Sequence, residues 1–418
     1  MTARESFWRS FGPGLLWAGA SIGVSHLVQS TRAGATAGFA LAGVILIALI
    51  LKYPFFEFGP RYAAATGESL IEGYLRVGRW ALWMYLAITV LTSLIVQVAV
   101  VLFTAFLLNR AVGLQTSLAV IGGGICLGSA ALLWFGRYRW LDRSMKLVLA
   151  LLAVSTIVAA SVALPRADPS TITIVPPVGG VVRLAFVLAL VGWMPTAIDL
   201  AVWSSLWTLA KDEAESHRSS VKAARLDFNI GYVGTGILAF AFLTLGATVM
   251  YRSGAVFSAQ GTVFSTQLLD LYVATLGAWT RPVVLVAVLT TMVSTSVTVI
   301  DGFPRAIDRA VRVLREGVSP TRSDIGRGYW ISLAILAGAT VVVLARFLGS
   351  LTAMIDFATI VSFLTAPVLG YLNLRVVTGA QMPPEHRPGF AMSAISYIGL
   401  ALLSAIALFY MIDKLFLH

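Results

Sequence analysis

The chain has 418 residues, a formal net charge of +11, and a composition that is 58% hydrophobic and 12% charged. So high an apolar share excludes an ordinary soluble domain. A single cysteine, Cys126, excludes an internal disulfide and a thiolate metal cluster.

Apolar runs long enough to cross a bilayer recur along the chain. Eleven are expected, at about 11–32, 38–58, 81–109, 114–135, 145–164, 181–208, 229–251, 280–302, 328–347, 351–374 and 391–412. The start, Met1-Thr2-Ala3-Arg4-Glu5-Ser6, is too polar for a cleaved leader, so the first span is expected to act as an uncleaved anchor. That first span carries Gly19-Ala20-Ser21-Ile22-Gly23-Val24-Ser25-His26, a glycine-interrupted stretch followed by Gln29, Ser30, Thr31 and Arg32. Lys52 and Glu57, towards the end of the second span, are expected to snorkel or to pair. Gln97 lies in the third span, near Thr92 and Ser93. The Pro- and Gly-rich stretch 165–180 joins spans five and six, where two halves would meet.

The sixth span is interrupted at Val191-Gly192-Trp193-Met194-Pro195-Thr196, with Asp199 just beyond. Span eight has Thr291, Ser294, Thr298 and Asp301 at helical spacing, and span ten has Asp356, Thr359, Ser362 and Thr365. Between spans eight and nine, about 305–327, the i,i+4 pairs Asp301/Arg305 and Asp308/Arg312 suggest a short interfacial helix. Proline and glycine in 379–390 link span ten to a final extra span.

The basic residues are distributed by side. With the N-terminus in the cytoplasm, inner loops hold 21 Lys/Arg and outer loops 8, Lys52 lying within a span. The inner clusters include Arg137/Arg139/Arg143/Lys146, Lys211/Arg218/Lys222/Arg225 and the arginines from Arg305 to Arg327. This bias fixes an N-in, C-out topology and accounts for the charge through topology and anionic lipid rather than nucleic acid. The expected place is a multi-pass position in a bacterial inner (plasma) membrane.

Five spans, a linker, five more and one extra give a second half inverted relative to the first. The expected organisation is one membrane transport domain over 1–418, with repeats at about 11–164 and 181–374 and an extra helix at about 391–412. Backbone inside lipid must satisfy its own hydrogen bonds, so two interruptions five spans apart point to protein-lined cavity walls. Such a pair is the sequence mark of a transporter's substrate site.

Several side chains near the breaks are candidates for chemistry. His26 is the histidine at membrane depth, suited to proton coupling or metal contact; the bland alternative is a neutral imidazole bonded to a carbonyl near the break. Met194 offers a thioether beside an opened backbone, which suits a softer metal, or it simply packs. Asp199 is a protonation site, a lining of the inner exit, or the partner of Arg225 or Lys222. Gly19-Ala20-Ser21-Ile22-Gly23 matches G-x-S-x-G, but that motif needs a strand-turn-helix context, so the chain is not read as an enzyme.

At Gly12-Pro13-Gly14 and Met194-Pro195 the chain resembles the natural resistance-associated macrophage protein (NRAMP) family, proton-coupled divalent metal transporters. The resemblance covers most of the chain, including Arg61-Tyr62-Ala63-Ala64-Ala65-Thr66-Gly67 after span two and Ser294-Thr295-Ser296 in span eight. It implies an all-α membrane protein with a leucine-transporter-like 5+5 inverted repeat, one extra helix, and broken helices one and six. The family's first-span Asp-Pro-Gly-Asn is replaced here by Gly23-Val24-Ser25-His26, so its metal-binding Asp matches Gly23 and its Asn matches His26. The sixth-span Met-Pro-His becomes Met194-Pro195-Thr196, keeping the metal-binding Met, and the Ala three residues earlier matches Val191. Gln97 and Val100 fall on two acidic positions of the family's proton path, and Thr359 matches a polar position of span ten.

The resemblance therefore implies substrate contacts at Gly23, His26, Met194, Val191 and Thr359, with His26 and Met194 as metal ligands. It places Gln97 on the proton path, where His26 or Asp199 is expected to substitute for the family's acids. A divalent ion (Mn/Fe-like) would be substrate, protons the coupling ion of a symport, and no resident cofactor is expected. The alternative is another small solute, an anion or organic molecule, on the same scaffold, because Gly23 leaves the Asp position empty.

Overall fold

The structure is a computed structural model, described here for residues 12–113, 116–135, 138–167, 173, 183–318, 326–346 and 349–417. Arg137, the side chains of Arg139, Arg143 and Lys146, and most of the 165–180 connection lie outside what is described.

Helices account for the regular structure of the described residues, with no strand among them. The first span is split. Helix α1 (Pro13–Ser21) starts with proline at its first position, where the missing N–H costs nothing. The chain opens at Ile22–Gly23, resumes as a π-helical stretch over Ser25–Ser30, and continues as α2 (Thr31–Ala37). Then come α3 (Ala42–Thr66), the short α4 (Leu70–Val77), α5 (Arg79–Val112), α6 (Leu118–Trp134) and α7 (Tyr138–Ala163). The sixth span is split into α8 (Leu184–Gly192) and α9 (Leu200–Ala214), with Trp193–Asp199 non-helical between them. The remainder is α10 (Val221–Leu245), α11 (Gly261–Leu276), α12 (Thr280–Glu316), α13 (Arg327–Arg346), α14 (Leu351–Val377) and α15 (Phe390–Ile412).

Seven helices are long and apolar enough to cross a membrane, and Leu118–Trp134 and Ala150–Arg166 are shorter apolar helices. The two split segments supply the other crossings, so the eleven expected spans are all present. Two features differ from expectation. The stretch after span eight is not a separate interfacial helix: α12 runs unbroken to Glu316, because its i,i+4 pairs Asp301–Arg305 and Asp308–Arg312 staple a continuous helix. Helices α4 and α11 were not anticipated. The first is too short to register as a span, though Ser69 and Glu72 form its capping box.

We call the side on which α1 begins the near side and the other the far side. Helix α10 packs along α1 and α2, α9 along α3, and α8 along α14. Several glycines bring helix backbones together, and two of them lie on the split spans. A Cβ on Gly14 would lie 2.1 Å from the Asp227 carbonyl oxygen of α10, and one on Gly192 would lie 2.0 Å from that of Thr359 in α14. Small residues let helix backbones approach in this way where lipid offers no hydrophobic drive to associate. At the near end the Asp227 carboxylate accepts from the Gly12 and Gly14 amides at 3.2 and 2.6 Å, fixing the start of α1.

Candidate functional site

The two breaks meet. A cavity of about 40 Å³ lies between them, lined from the first span by Ala20, Ser21, Val24 and Ser25, and from the sixth by Trp193, Thr196, Ala197 and Asp199. Val96 and Val100 of α5 and Thr295, Val299 and Phe303 of α12 close its other walls. Trp193 stands at the far end, its indole N–H donating to the Ser362 hydroxyl of α14 at 2.8 Å. Trp203 and Phe303 stand at the near end, their rings packed edge-on with centroids 4.9 Å apart.

Asp199 is the carboxylate of this lining. It is 2% exposed, and its Oδ1 has no hydrogen-bond partner. It occupies the N-cap position of α9 but makes no side-chain cap bond. The carboxylate therefore sits at the positive pole of that helix, with one oxygen free. Neither expected partner is taken: Arg225 pairs with Glu57, which also receives two bonds from Arg61. An isolated carboxylate at this depth is costly.

The other predicted residues fall around the cavity rather than on its surface. Gly23 faces α12: a Cβ there would lie 3.0 Å from Thr295 Oγ1 and 3.1 Å from its Cγ2. The room that an aspartate would need is thus taken by Thr295, whose hydroxyl donates to the Thr291 carbonyl at 3.0 Å. His26 is fully buried and turned towards α10. Its Nε2 donates to the Thr235 carbonyl at 3.0 Å, and its Nδ1 meets the Ser25 hydroxyl at 2.7 Å. A carbonyl can only accept, so Nε2 carries hydrogen; Nδ1 also lies 3.2 Å from the Ser21 carbonyl, to which the Ser25 hydroxyl donates at 2.6 Å. With both ring nitrogens engaged, the imidazole ties the first span to α10.

Met194 is fully buried in the break, between lining residues Trp193 and Thr196, but is not itself in the lining. Gln97 is fully buried in α5, between lining residues Val96 and Val100. Thr359 accepts from the Gln29 carboxamide at 3.2 Å. That carboxamide also donates to Asp356 at 3.0 Å, and Arg32 clasps Asp356 with two bonds of 2.7 and 3.0 Å. Gln29, Arg32, Asp356 and Thr359 therefore close the far side between the first and tenth spans. No group of three or more His, Cys, Asp or Glu side chains able to hold a metal ion occurs among the described residues.

Sequence reasoning missed Lys52. It neither snorkels nor pairs with a carboxylate. It is fully buried, and its ammonium donates to the carbonyls of Val191, Gly192 and Thr196, each at 2.9 Å. The signal was present in principle: a helix that ends inside a membrane leaves carbonyls that need donors. Which lysine would reach them depends on tertiary packing. The far-side network was half legible, since Gln29 and Arg32 share a face with three-residue spacing, but their partner Asp356 lies more than 300 residues away.

A bundle in which two helices, five spans apart, break at a shared buried cavity defines a membrane transporter of the leucine-transporter-like, inverted-repeat class. Comparison with known proteins carries this further. The family model described as natural resistance-associated macrophage protein-like matches residues 14–413, and the chain belongs to that family. A protein of Pasteurella multocida, PM0681, is 34% identical over 98% of this chain and 94% of its own length. The divalent metal cation transporter MntH of Chromohalobacter salexigens is 25% identical over 60% of this chain and 59% of its own. Among solved structures, the Eremococcus coleocola manganese transporter superposes with a TM-score of 0.69 at 13% identity, covering 97% of this chain and 86% of that one. At that identity the likeness is one of fold, and it agrees with the arrangement read from the two breaks.

Proposed function

We propose that this protein is a secondary transporter of a divalent metal ion, which it holds beside Asp199 in the cavity between the two breaks. The observation that carries the reading is the lone carboxylate in a very small cavity. About 10–15 Å³ admits one water, so a 40 Å³ space suits a partly dehydrated ion and not an organic solute. Family membership and the printed names of the relatives, a divalent metal cation transporter and a manganese transporter, support the same class of substrate.

The donors on the cavity wall are oxygens: the Asp199 carboxylate with the hydroxyls of Ser21, Ser25, Thr196 and Thr295. Oxygen donors with one negative charge favour a hard ion such as manganese or magnesium over cadmium. Met194 then acts mainly in packing the break.

Proton coupling follows from the same carboxylate. Asp199 accepts a proton when the ion leaves and releases it when the next ion binds, so the empty carrier crosses without a buried bare charge. The Trp193 and Arg32–Asp356 side is the far gate and the Trp203–Phe303 side the near gate of an alternating-access cycle. The near side, which carries the arginine-rich loops, is placed in the cytoplasm.

Purified protein in liposomes is expected to take up manganese saturably, faster under an inward proton gradient, and Asp199→Asn to remove that uptake. Saturable uptake of a small anion or organic solute, with no metal uptake, would favour the alternative that the crowded Gly23 position raises.

A further inference from the structure

Lys52 projects from the middle of α3 into the break of the sixth span. Its three donors meet three backbone carbonyls at 2.9 Å, those of Val191, Gly192 and Thr196. Val191 and Gly192 are the last residues of α8, so the ammonium sits at the negative pole of that helix. An ammonium has three donors and no acceptor, so this cradle satisfies it completely. The Phe56 ring centroid lies 5.6 Å from Nζ, and among the described residues no carboxylate pairs with Lys52.

Such an arrangement is a backbone cation site with its cation already attached. Breaking a helix inside a membrane frees carbonyl oxygens that water cannot reach, and a cation is the natural occupant. Here the occupant is covalently tethered, so it arrives by folding and cannot leave.

We propose that the break of the sixth span is a monovalent-cation site filled permanently by the Lys52 ammonium, which makes the transporter independent of any dissolved sodium or potassium ion at that position. The site is separate from the Asp199 cavity and the inference goes beyond the metal-transport reading. It also explains why the substrate ion is assigned to Asp199: the carbonyls at the end of α8 are already engaged.

The cradle is reachable. Lys52 and Val191 line an apolar groove of about 460 Å³ between α3, α8, α14 and α15. Truncation of Lys52 to alanine removes three methylenes and the ammonium, a shape that n-propylammonium reproduces. The test is the thermal stability of detergent-purified Lys52→Ala, measured alone, with n-propylammonium, with sodium, and with n-propanol as the neutral isostere.

We expect Lys52→Ala to lose about 5 °C in Tm. n-Propylammonium should recover most of the loss and sodium part of it, n-propanol none, and the wild-type protein should respond to none of them. Lys52→Met, which keeps the length and loses the charge, should be as unstable as Lys52→Ala. If Lys52→Met matches wild type, or propanol rescues as well as propylammonium, the cation site is overturned. If Lys52→Ala does not accumulate, the yield of folded protein from cells supplied with propylammonium replaces Tm: recovery supports the proposal and its absence overturns it. None of these readouts requires metal transport, so failure of the metal reading and failure of this one are distinguishable.

Discussion

Replacing Asp199 by asparagine should change stability and metal binding in opposite directions. The carboxylate is 2% exposed and Oδ1 has no partner, so in the metal-free protein, at a pH high enough to keep its proton off, it is a buried charge stabilised mainly by the N-terminus of α9. An effective burial penalty of several kcal/mol, offset by up to about 2 kcal/mol from the helix terminus, leaves a net cost of about 2 kcal/mol. Asparagine keeps the shape and removes the charge, so at that pH Tm of the metal-free protein should rise by about 2 °C for a chain of this length, and the gain should vanish where the carboxyl is protonated. Metal binding should fall. Two unit charges about 4 Å apart interact by about 4 kcal/mol at an effective dielectric constant of about 20, and a dication doubles that. Subtracting several kcal/mol for desolvation leaves about 3–4 kcal/mol, or about 10²–10³ in Kd. At a manganese concentration of about 100 Kd, the wild-type protein gains about 2.7 kcal/mol and roughly 3 °C. The variant, at the same concentration, should gain under about 1 °C. A full manganese-induced shift in Asp199→Asn would refute the placement of the ion, and a lower Tm without metal would refute the unpaired carboxylate.

Three further substitutions probe the surroundings. Gly23→Ala should cost about 1–3 kcal/mol through crowding against Thr295. Adding Thr295→Ala should recover much of that loss, giving a non-additive cycle by thermal unfolding; simple additivity would show that the two positions do not touch. Met194→Ala should alter manganese and cadmium binding alike, by less than about threefold, because the thioether is outside the lining; a loss confined to cadmium would return Met194 to the ligand set. His26→Ala should lower Tm by removing the donor to the Thr235 carbonyl and the tie between the first span and α10, and should leave the pH profile of transport unchanged; a shifted profile would make the imidazole a proton carrier.

The architecture was largely legible because the bilayer imposes simple rules. Apolar length marks each span, and Gly23 and Met194-Pro195 mark the two places where a helix cannot continue. Which side chains face the cavity was less legible. His26 and Gln97 stand out as polar residues at membrane depth, yet His26 turns to α10, and Gln97 lies between two lining residues of α5. A turn of a few tens of degrees about a helix axis decides such facing, and composition carries no information on it. In span eight the polar stripe drawn through Thr291, Ser294 and Thr298 ran one residue off the cavity face, which holds Thr295 and Val299. Asp199 was singled out correctly as a buried carboxylate, but its neighbours Arg225 and Lys222 looked like partners in sequence. The structure gives Arg225 to Glu57 and leaves one oxygen of Asp199 free. Lys52 was underrated because a lysine near a span's end ordinarily reaches for water. Its carbonyl partners come from a segment about 140 residues away.

The central claim is that a divalent ion occupies the cavity at Asp199 and is moved across the membrane from there. Uptake of radioactive manganese into proteoliposomes under an inward proton gradient, wild type beside Asp199→Asn, tests it most directly. The account predicts saturable, gradient-stimulated uptake by the wild-type protein and none above background by the variant. Equal uptake by the two, or no saturable uptake by folded wild-type protein, would contradict it.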